Sequence, residues 1–549
     1  MITAIFYFFI FFIPGFAFFI LLRDKLTLQK KDIFVTSILF SFVICYCLFF
    51  VFFLNDQYGY IFSYLTLIFS LVIIFVNLNF HSKIFKFLKR DFLLLFSVYF
   101  LYTSITDFIP ININDRFLPG LPTDNYLPLN FAECTYYSND SIKECFQRGG
   151  FWQSSDRPPI LSSVILFLLP FKVGIYKLNE FYNYIGVLIQ STWVNALLFF
   201  LSSLGLKRKS TMFVITTIVF SGIFLLNTVF LWPKIITFIP FALSYSILFN
   251  KSNLKNHNMM ILAFISLSIG FLMHGGVLFS ILGMLIVFYF SLLFSIKERK
   301  ELIKYFLFLI FTLVPILPWT IYQKYYDPPG DHLFKMRMAG QRNLDDPILY
   351  PNHPRVKTGQ SLLGALQEAY TTVPVESIIS NKISNLVTVF KNPLIDGSYF
   401  KDFSSVKDFI PLIRSDQFFY TFASLDFILI GFILVFIKDN GGNEILIASQ
   451  KKLFLILIGS LLLWILLMFE PNATIIHQGS YVNLFLLFIL ASIGLDKMNE
   501  WKWIFLFLHF LVFVTWIPSH NQDIDMTNAF GLSKIIFSVC CYGFAIKKI

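Results

Sequence analysis

Asp124, Asp156 and Arg157 fall in one polar stretch, Leu118 to Pro159 (LPGLPTDNYLPLNFAECTYYSNDSIKECFQRGGFWQSSDRPP), the first long polar interruption of an otherwise apolar chain. A carboxylate at a bilayer surface suits a general base that takes a proton from an acceptor hydroxyl, a contribution of about 10²–10⁴-fold to a rate. The same Asp in a TDN or SSD context also caps a helix or closes an Asx-turn, and the residues alone do not separate the two roles. Arg157, followed by Pro158 and Pro159, offers a planar guanidinium for a phosphate, or anchors headgroups.

Other cations fall where they would share that surface. Lys234 lies in a tight LWPK link, and Lys324, Lys335, Arg337, Arg342, His353, Arg355 and Lys357 follow later. A charge near the middle of a membrane costs about 2.5–3.5 kcal/mol or more, so Lys234 calls for a partner. His274, before Gly275 and Gly276, and His477 in IIHQGSY stand at the ends of apolar runs. A lone His is more often hydrogen-bonded structure than a ligand. Cys134 and Cys145 are the two cysteines in a polar loop. On one continuous helix they would stand about 16 Å apart, beyond a bridgeable Cα separation of about 7 Å, so a disulfide between them requires a reversal near Ser138–Ser141 and an oxidising compartment. No P-loop, GxGxxG or HExxH occurs, and no CxxC or His/Cys cluster suggests zinc.

The elements that must hold these groups are membrane helices. The 549 residues are 57% hydrophobic and 14% charged, with a mean hydropathy of +0.71, whereas soluble domains carry about 25% charged residues. Apolar runs of bilayer-spanning length recur from end to end. They predict about fifteen spans, near 2–22, 33–54, 59–79, 91–109, 185–204, 211–231, 233–249, 259–274, 276–295, 303–322, 419–437, 453–469, 479–495, 502–518 and 530–546. The first run lacks a basic leader and a small-residue cleavage site, so it reads as a retained span. The 72 phenylalanines suit a lipid environment and imply no aromatic cage.

The net charge of +11 lies in short clusters between the runs: 23–31, 81–90, 207–209, 250–257, 297–304, 438–452, 496–502 and 547–548. With fifteen spans all of them fall on one side, which the positive-inside rule makes cytoplasmic. That reading excludes nucleic acid as a partner. It sets the N-terminus outside and the C-terminus inside. Two large loops then lie on the outer face, and the chain divides into 1–109 (four N-terminal spans), 110–184 (first outer loop), 185–322 (central spans), 323–418 (second outer loop) and 419–549 (C-terminal spans). Helical spacing in LLGALQEAY and SIISNKISNLVTVF predicts that the second loop is folded. Pro159–Phe171 is apolar but too short to cross, and is expected to lie in the outer interface as an apolar shelf.

These residues resemble the polytopic glycosyltransferases of the GT-C superfamily, among them protein mannosyltransferases and lipid A aminoarabinose transferases. Asp124-Asn125-Tyr126 is followed by Ala132 at the family offset, then by Gly149-Gly150-Phe151-Trp152 and Ser155-Asp156-Arg157-Pro158-Pro159-Ile160. Leu317-Pro318-Trp319, closing a span before the second loop, is also similar. Asn125 replaces the usual acidic partner, Asp156-Arg157 stands where His often precedes the prolines, and about three extra spans come before the loop.

The resemblance, over roughly Thr103 to Trp319, implies a GT-C-like helical bundle in a bacterial inner membrane. It implies a polyprenyl-phosphate sugar donor and a glycan, lipid or protein acceptor. Asp124 would be the base. Asp156 would orient the acceptor, share its proton or bind a divalent cation. Arg157 and Lys234, with Arg342 and Arg355, would hold the donor phosphate, and Asn125, Tyr126, His274 and His477 would contact donor or acceptor. Two rivals stand beside it: a polysaccharide polymerase or ligase, and a transporter or flippase for a lipid-linked saccharide. The second calls for interrupted helices with charges inside the membrane, and Asp426 is the residue that favours it.

Overall fold

Runs this apolar leave the backbone no water to bond with, so each must satisfy its N–H and C=O groups internally, and helices result. The computed structural model describes residues 2–26, 32–107, 123–137, 145, 153–172, 177–295, 299–328, 330, 332–340, 360–392, 406–437, 444–471, 481–516 and 529–548. Among them there is no strand. Arg342, Arg355, His477 and the stretch from Gly149 to Trp152 lie outside the described residues.

A helix occupies each of the fifteen apolar runs. Among the described residues seven helices are long and apolar enough to cross a membrane, or up to nine if each of two bent pairs counts as one span. Others are short: Ile160–Phe171, Ile235–Leu248, His257–Met273 and Tyr481–Asp496. The described chain is all-helical, and its long apolar helices are those of a membrane protein.

Four expectations about boundaries change. The basic segment 81–90 is no loop: it lies within one helix, Leu78–Asp107, that follows the break at Asn77. The first loop ends early, because Leu178–Gln190 is already helical and continues through a turn into Trp193–Ser203. Together those two make the most enclosed span, 94% buried. The run at 419–437 is the second half of a pair that begins at Ile410 and bends by 89°. The apolar shelf is the fourth change. Helix Ile160–Leu168 forms, but every one of its residues is buried, because it packs among Ile2–Leu22, Ile33–Leu54, Asp56–Val76, Leu127–Tyr137 and His257–Met273. An interfacial helix keeps a wet face. This one has Ser162 and Ser163 as its polar residues, with the Ser163 hydroxyl turned back on the Pro159 carbonyl at 2.6 Å.

Both bent pairs meet at one polar knot. Arg208–Val219 and Gly222–Val229 are bent by 65°. Asp426, with φ of 38°, breaks the other pair. His509 Nδ1 lies 2.7 Å from Asp426 Oδ2 and its Nε2 lies 3.0 Å from the Thr217 carbonyl. A carbonyl only accepts, so Nε2 carries a hydrogen and one further proton lies between Nδ1 and the carboxyl group. Gln417 Nε2 donates to Asp426 at 3.0 Å, and Trp516 Nε1 donates to Gln417 at 2.7 Å. The indole of Trp516 fills the space beside Gly222, where a Cβ would stand 1.9 Å from Nε1.

Small residues set the closest helix approach. A Cβ on Gly494 would fall 1.8 Å from the Gly431 carbonyl, and one on Gly431 would fall 2.0 Å from the Ala491 carbonyl. Lipid tails give helices no hydrophobic reason to associate, so close backbone packing of this kind carries much of the association. In the first loop Cys134 and Cys145 form a disulfide, with Cα atoms 5.7 Å apart.

Two outcomes follow for stability. Gly494→Leu should destabilise the purified protein by about 1–3 kcal/mol through overpacking, read as a lower midpoint of thermal unfolding in detergent. Cys134→Ser should lose about 2–4 kcal/mol of loop constraint, and the same reducing agent that lowers the wild-type midpoint should leave the variant unmoved.

Candidate functional site

The site is built where four helix ends converge. The last residues of His257–Met273, the start of Leu278–Ser295, the end of Ile310–Tyr325 and Met468 after Glu444–Leu467 frame one cavity of about 150 Å³. The first loop closes it with Ser155, Asp156, Arg157 and Pro158, and helix His332–Ala339 of the second loop closes it with Leu333, Phe334, Arg337 and Met338. Its lining mixes the polar and charged side chains of Ser155, Asp156, Arg157, Gln323 and Arg337 with the apolar ones of Phe271, Phe279, Trp319 and Met468.

Asp156 ends the short turn Ser154–Asp156, and its Oδ2 accepts the Gln153 backbone N–H at 2.8 Å. Its other oxygen faces His332 Nδ1 at 3.3 Å. Burial dominates its titration: removing the carboxylate from water pushes its pKa from 3.8 up to about 7, against the pull of the Gln153 N–H and the Arg157 charge, while Asp327 pushes it further up. The turn itself is fixed by Asp327, whose Oδ2 accepts from Ser154 Oγ and from the Ser155 N–H, each at 2.8 Å. Tyr322 and Ser154 share a hydroxyl contact of 2.6 Å. The end of one span and the link after it thus hold the first loop in place.

Asp124 stands behind this wall. It lies in the turn Thr123–Tyr126, at the start of Leu127–Tyr137, and is 5% exposed. Its Oδ2 pairs with Arg157 Nη2, and its Oδ1 accepts from Trp232 Nε1 at 2.6 Å. Both oxygens are engaged, and the residue does not line the cavity. Arg157 does line it, and also reaches the Asp156 carbonyl at 3.2 Å. Lys234 is 1% exposed, with its ammonium 3.4 Å from the centre of the Trp232 ring and 5.2 Å from that of Tyr481. It makes no hydrogen bond among the described residues and lies in the field of Asp124 and Arg157.

The candidate residues divide clearly. Asp156, Arg157 and His274 line the cavity. Asp124 and Lys234 support it from behind. Asn125 and Tyr126 do not reach it: the Asn125 carbonyl accepts the Tyr182 hydroxyl at 2.7 Å, and the Tyr126 ring packs 6.0 Å from that of Tyr182. Arg342, Arg355 and His477 lie outside the described residues. His274 Nδ1 accepts the Gly276 N–H at 3.1 Å, a structural bond that turns the chain into the next helix.

Three further residues enter. Arg337 lines the cavity as its second guanidinium, His332 faces Asp156, and Trp232 fixes Asp124. Arg337 was one of several outer-face cations in the sequence, with nothing to raise it above its neighbours. Leu317-Pro318-Trp319 was the better signal, since Trp319 lines the wall and Gln323, one turn on, also lines it.

Among the described residues no three His, Cys, Asp or Glu side chains gather where a metal ion would bind. Asp156 has His332 on one side and Arg157 on the other, a setting for anions rather than for a divalent cation. That donor set does not fit a metal.

No family model, curated protein or solved structure matches the chain.

Proposed function

We propose that the protein is an integral membrane glycosyltransferase that moves a sugar from a polyprenyl-phosphate donor to a glycan, lipid or protein acceptor on the extracytoplasmic face. The observation that carries this reading is the cavity itself: its lining brings one carboxylate and two guanidiniums, from Asp156, Arg157 and Arg337, together with the apolar side chains of Phe271, Phe279, Trp319 and Met468. A lipid phosphate has that division of character, an anionic head on an apolar chain. In this reading fifteen spans form a GT-C-like bundle, with the N-terminus outside and the basic links in the cytoplasm.

The chemistry follows from the placement. The acceptor hydroxyl attacks the anomeric carbon from the face opposite the phosphate, so the configuration inverts. As the new C–O bond forms, the old one breaks and its electron pair leaves on the phosphate. Guanidiniums aimed at that oxygen stabilise the growing charge, a kind of contribution worth about 2.7–4 kcal/mol per well-placed donor. The acceptor's proton passes to Asp156. Its environment suits that task, because a base works best with a pKa near the working pH.

In this reading Asp156 takes the base role that the family resemblance implied for Asp124, and Asp124 takes a positioning role. Asp124, saturated by Trp232 and Arg157, serves as the group that holds Arg157 toward the cavity. Lys234 packs behind it against the Trp232 ring.

A transporter or flippase for a lipid-linked saccharide is the second reading. The two bent helix pairs around Asp426 and His509 favour it, since interrupted helices with a buried ionisable pair are a transporter's usual substrate and coupling-ion site. A polysaccharide polymerase or ligase would share the cavity and differ in its product.

The test uses purified full-length protein, a labelled polyprenyl-phosphate sugar and extracted surface glycan. Asp156→Asn should lose at least about 100-fold in transfer rate, the low end of the range for general-base catalysis. If Asp124→Asn alone abolishes transfer while Asp156→Asn does not, the base is Asp124. If Asp156→Asn still moves labelled lipid-linked saccharide across proteoliposomes at the wild-type rate and Asp426→Asn does not, the transporter reading takes its place.

The pH dependence has a definite sign. Wild-type transfer should rise through about pH 7 as Asp156 ionises, and this limb should be missing from the residual activity of Asp156→Asn. Stability runs the other way. The folded pKa lies above the unfolded one, so Asp156 contributes stability below about pH 4 that is lost as pH rises through about 7. The unfolding midpoint of wild type relative to Asp156→Asn should fall over that window.

A further inference from the structure

Helix Val375–Phe390 is amphipathic with its faces reversed. Its exposed residues include Val375, Ile379, Ile383, Leu386, Val387 and Phe390, between 42% and 63% accessible. At 100° per residue these six fall within one third of the helix circumference. Glu376, Ser377 and Ser380 near its start are exposed, while the polar residues of its second half turn inward. Asn385 and Thr388 are buried, Asn381 Nδ2 donates to the Phe469 carbonyl at 3.0 Å, and Asn385 Nδ2 reaches the Met468 carbonyl at 3.4 Å. Lys382 Nζ donates to the same Met468 carbonyl.

Those carbonyls close helix Glu444–Leu467, whose final C=O groups have no partner within their own helix. The inward face of Val375–Phe390 therefore serves as the cap of a span, which sets the height of this helix at the span's end. The span itself exposes large apolar residues, Leu462 and Leu466, which are 49% and 59% accessible. An apolar stripe anchored at the end of such a span suits the lipid boundary.

We infer that Val375–Phe390 lies in the bilayer interface at the Met468 end of span 446–467, with its apolar stripe dipped into the acyl chains of that leaflet. Water would leave six large apolar side chains uncovered, and the polar inward face is already committed to the span. The attached helix Leu362–Thr372 follows it down, with Leu363 75% exposed. Ala365 and Ala369 of that helix pack on Ala339, at the end of the cavity-lining helix His332–Ala339, and on Phe469. The interfacial pair is thus in direct contact with the cavity wall, and a lipid substrate in the same leaflet would stand beside the cavity.

The experiment measures depth in the membrane. The full-length chain, with Cys45, Cys47, Cys540 and Cys541 changed to Ser, is reconstituted in phosphatidylcholine nanodiscs and labelled with bimane at Ile383→Cys or, separately, at Val387→Cys. Leu466→Cys is the lipid-facing reference and Asp24→Cys, with an 87% exposed side chain, is the aqueous one. The expected result is a blue-shifted emission, most of which is lost when the lipids carry a doxyl group just below the headgroup, with iodide having little effect. Quenching by iodide to the level of the Asp24→Cys reference would overturn the inference. Protection from both quenchers would also overturn it, because a second copy or another protein would then cover the stripe. Two label positions on one stripe keep the test decisive if either variant fails to fold.

Discussion

The clasp of Asp124 by Trp232 and Arg157 is the interaction on which the architecture around the cavity depends. Its three members come from the start of the first loop, the end of the same loop and the link between a bent helix pair and the next helix. A carboxylate this enclosed is tolerable because both oxygens find donors; losing Arg157 would leave a buried charge unpaired, and losing Trp232 would leave one oxygen without its donor. Breaking such a pair costs about 3–5 kcal/mol, more than the pair itself adds over a well-packed apolar substitute. Its value lies in position. It sets where Arg157 stands, and through the short turn Ser154–Asp156 it sets where Asp156 stands.

A second set of contacts fixes that turn from the other side. Asp327 holds Ser154 and the Ser155 N–H, Tyr322 shares the Ser154 hydroxyl, and Gln323 donates to the Gly330 carbonyl at 2.9 Å. The turn is therefore gripped between the helix bundle behind it and the second loop in front. Arg337, from a helix of that second loop, lines the cavity, and His332 of the same helix faces Asp156. Neither loop makes the site alone. Carboxylate and guanidinium from the first meet guanidinium and imidazole from the second, and the spans contribute the aromatic wall.

Helix content and membrane character were legible in the sequence because they depend on composition and run length, which local residues carry. The same holds for the second loop, where LLGALQEAY and SIISNKISNLVTVF became Leu362–Thr372 and Val375–Phe390. What escaped depends on contacts between distant segments. Nothing local marks Ile160–Leu168 as enclosed rather than interfacial, since an all-apolar run suits both. The breaks at Asp426 and Gly222 come from tertiary partners, His509 and Trp516, that lie far along the chain. Asp156, Arg157 and Pro158 of the Asp–Arg–Pro–Pro run line the cavity together with Trp319. The division of labour between Asp124 and Asp156 was not readable, because it turns on the bond from Trp232, an unremarked residue two positions before Lys234.

The polar knot at Asp426 bears on the site through this same geometry. It holds one bent pair against another, and the second of these ends at Val229, just before Phe230, Trp232 and Lys234. Those residues form the back wall of the Asp124 clasp. The Trp232 ring stacks 5.7 Å from Phe418, on the helix that leads into the Asp426 break. A bend at Gly222 and a bend at Asp426 therefore fix both neighbours of Trp232, and the indole in turn fixes Asp124. Interrupted helices in a membrane are often read as moving parts. Here the breaks bring polar side chains from three segments together and turn the backbone so that one indole N–H faces a buried carboxylate. That is a rigid function, and it explains how a broken helix pair can serve a transferase as well as a transporter.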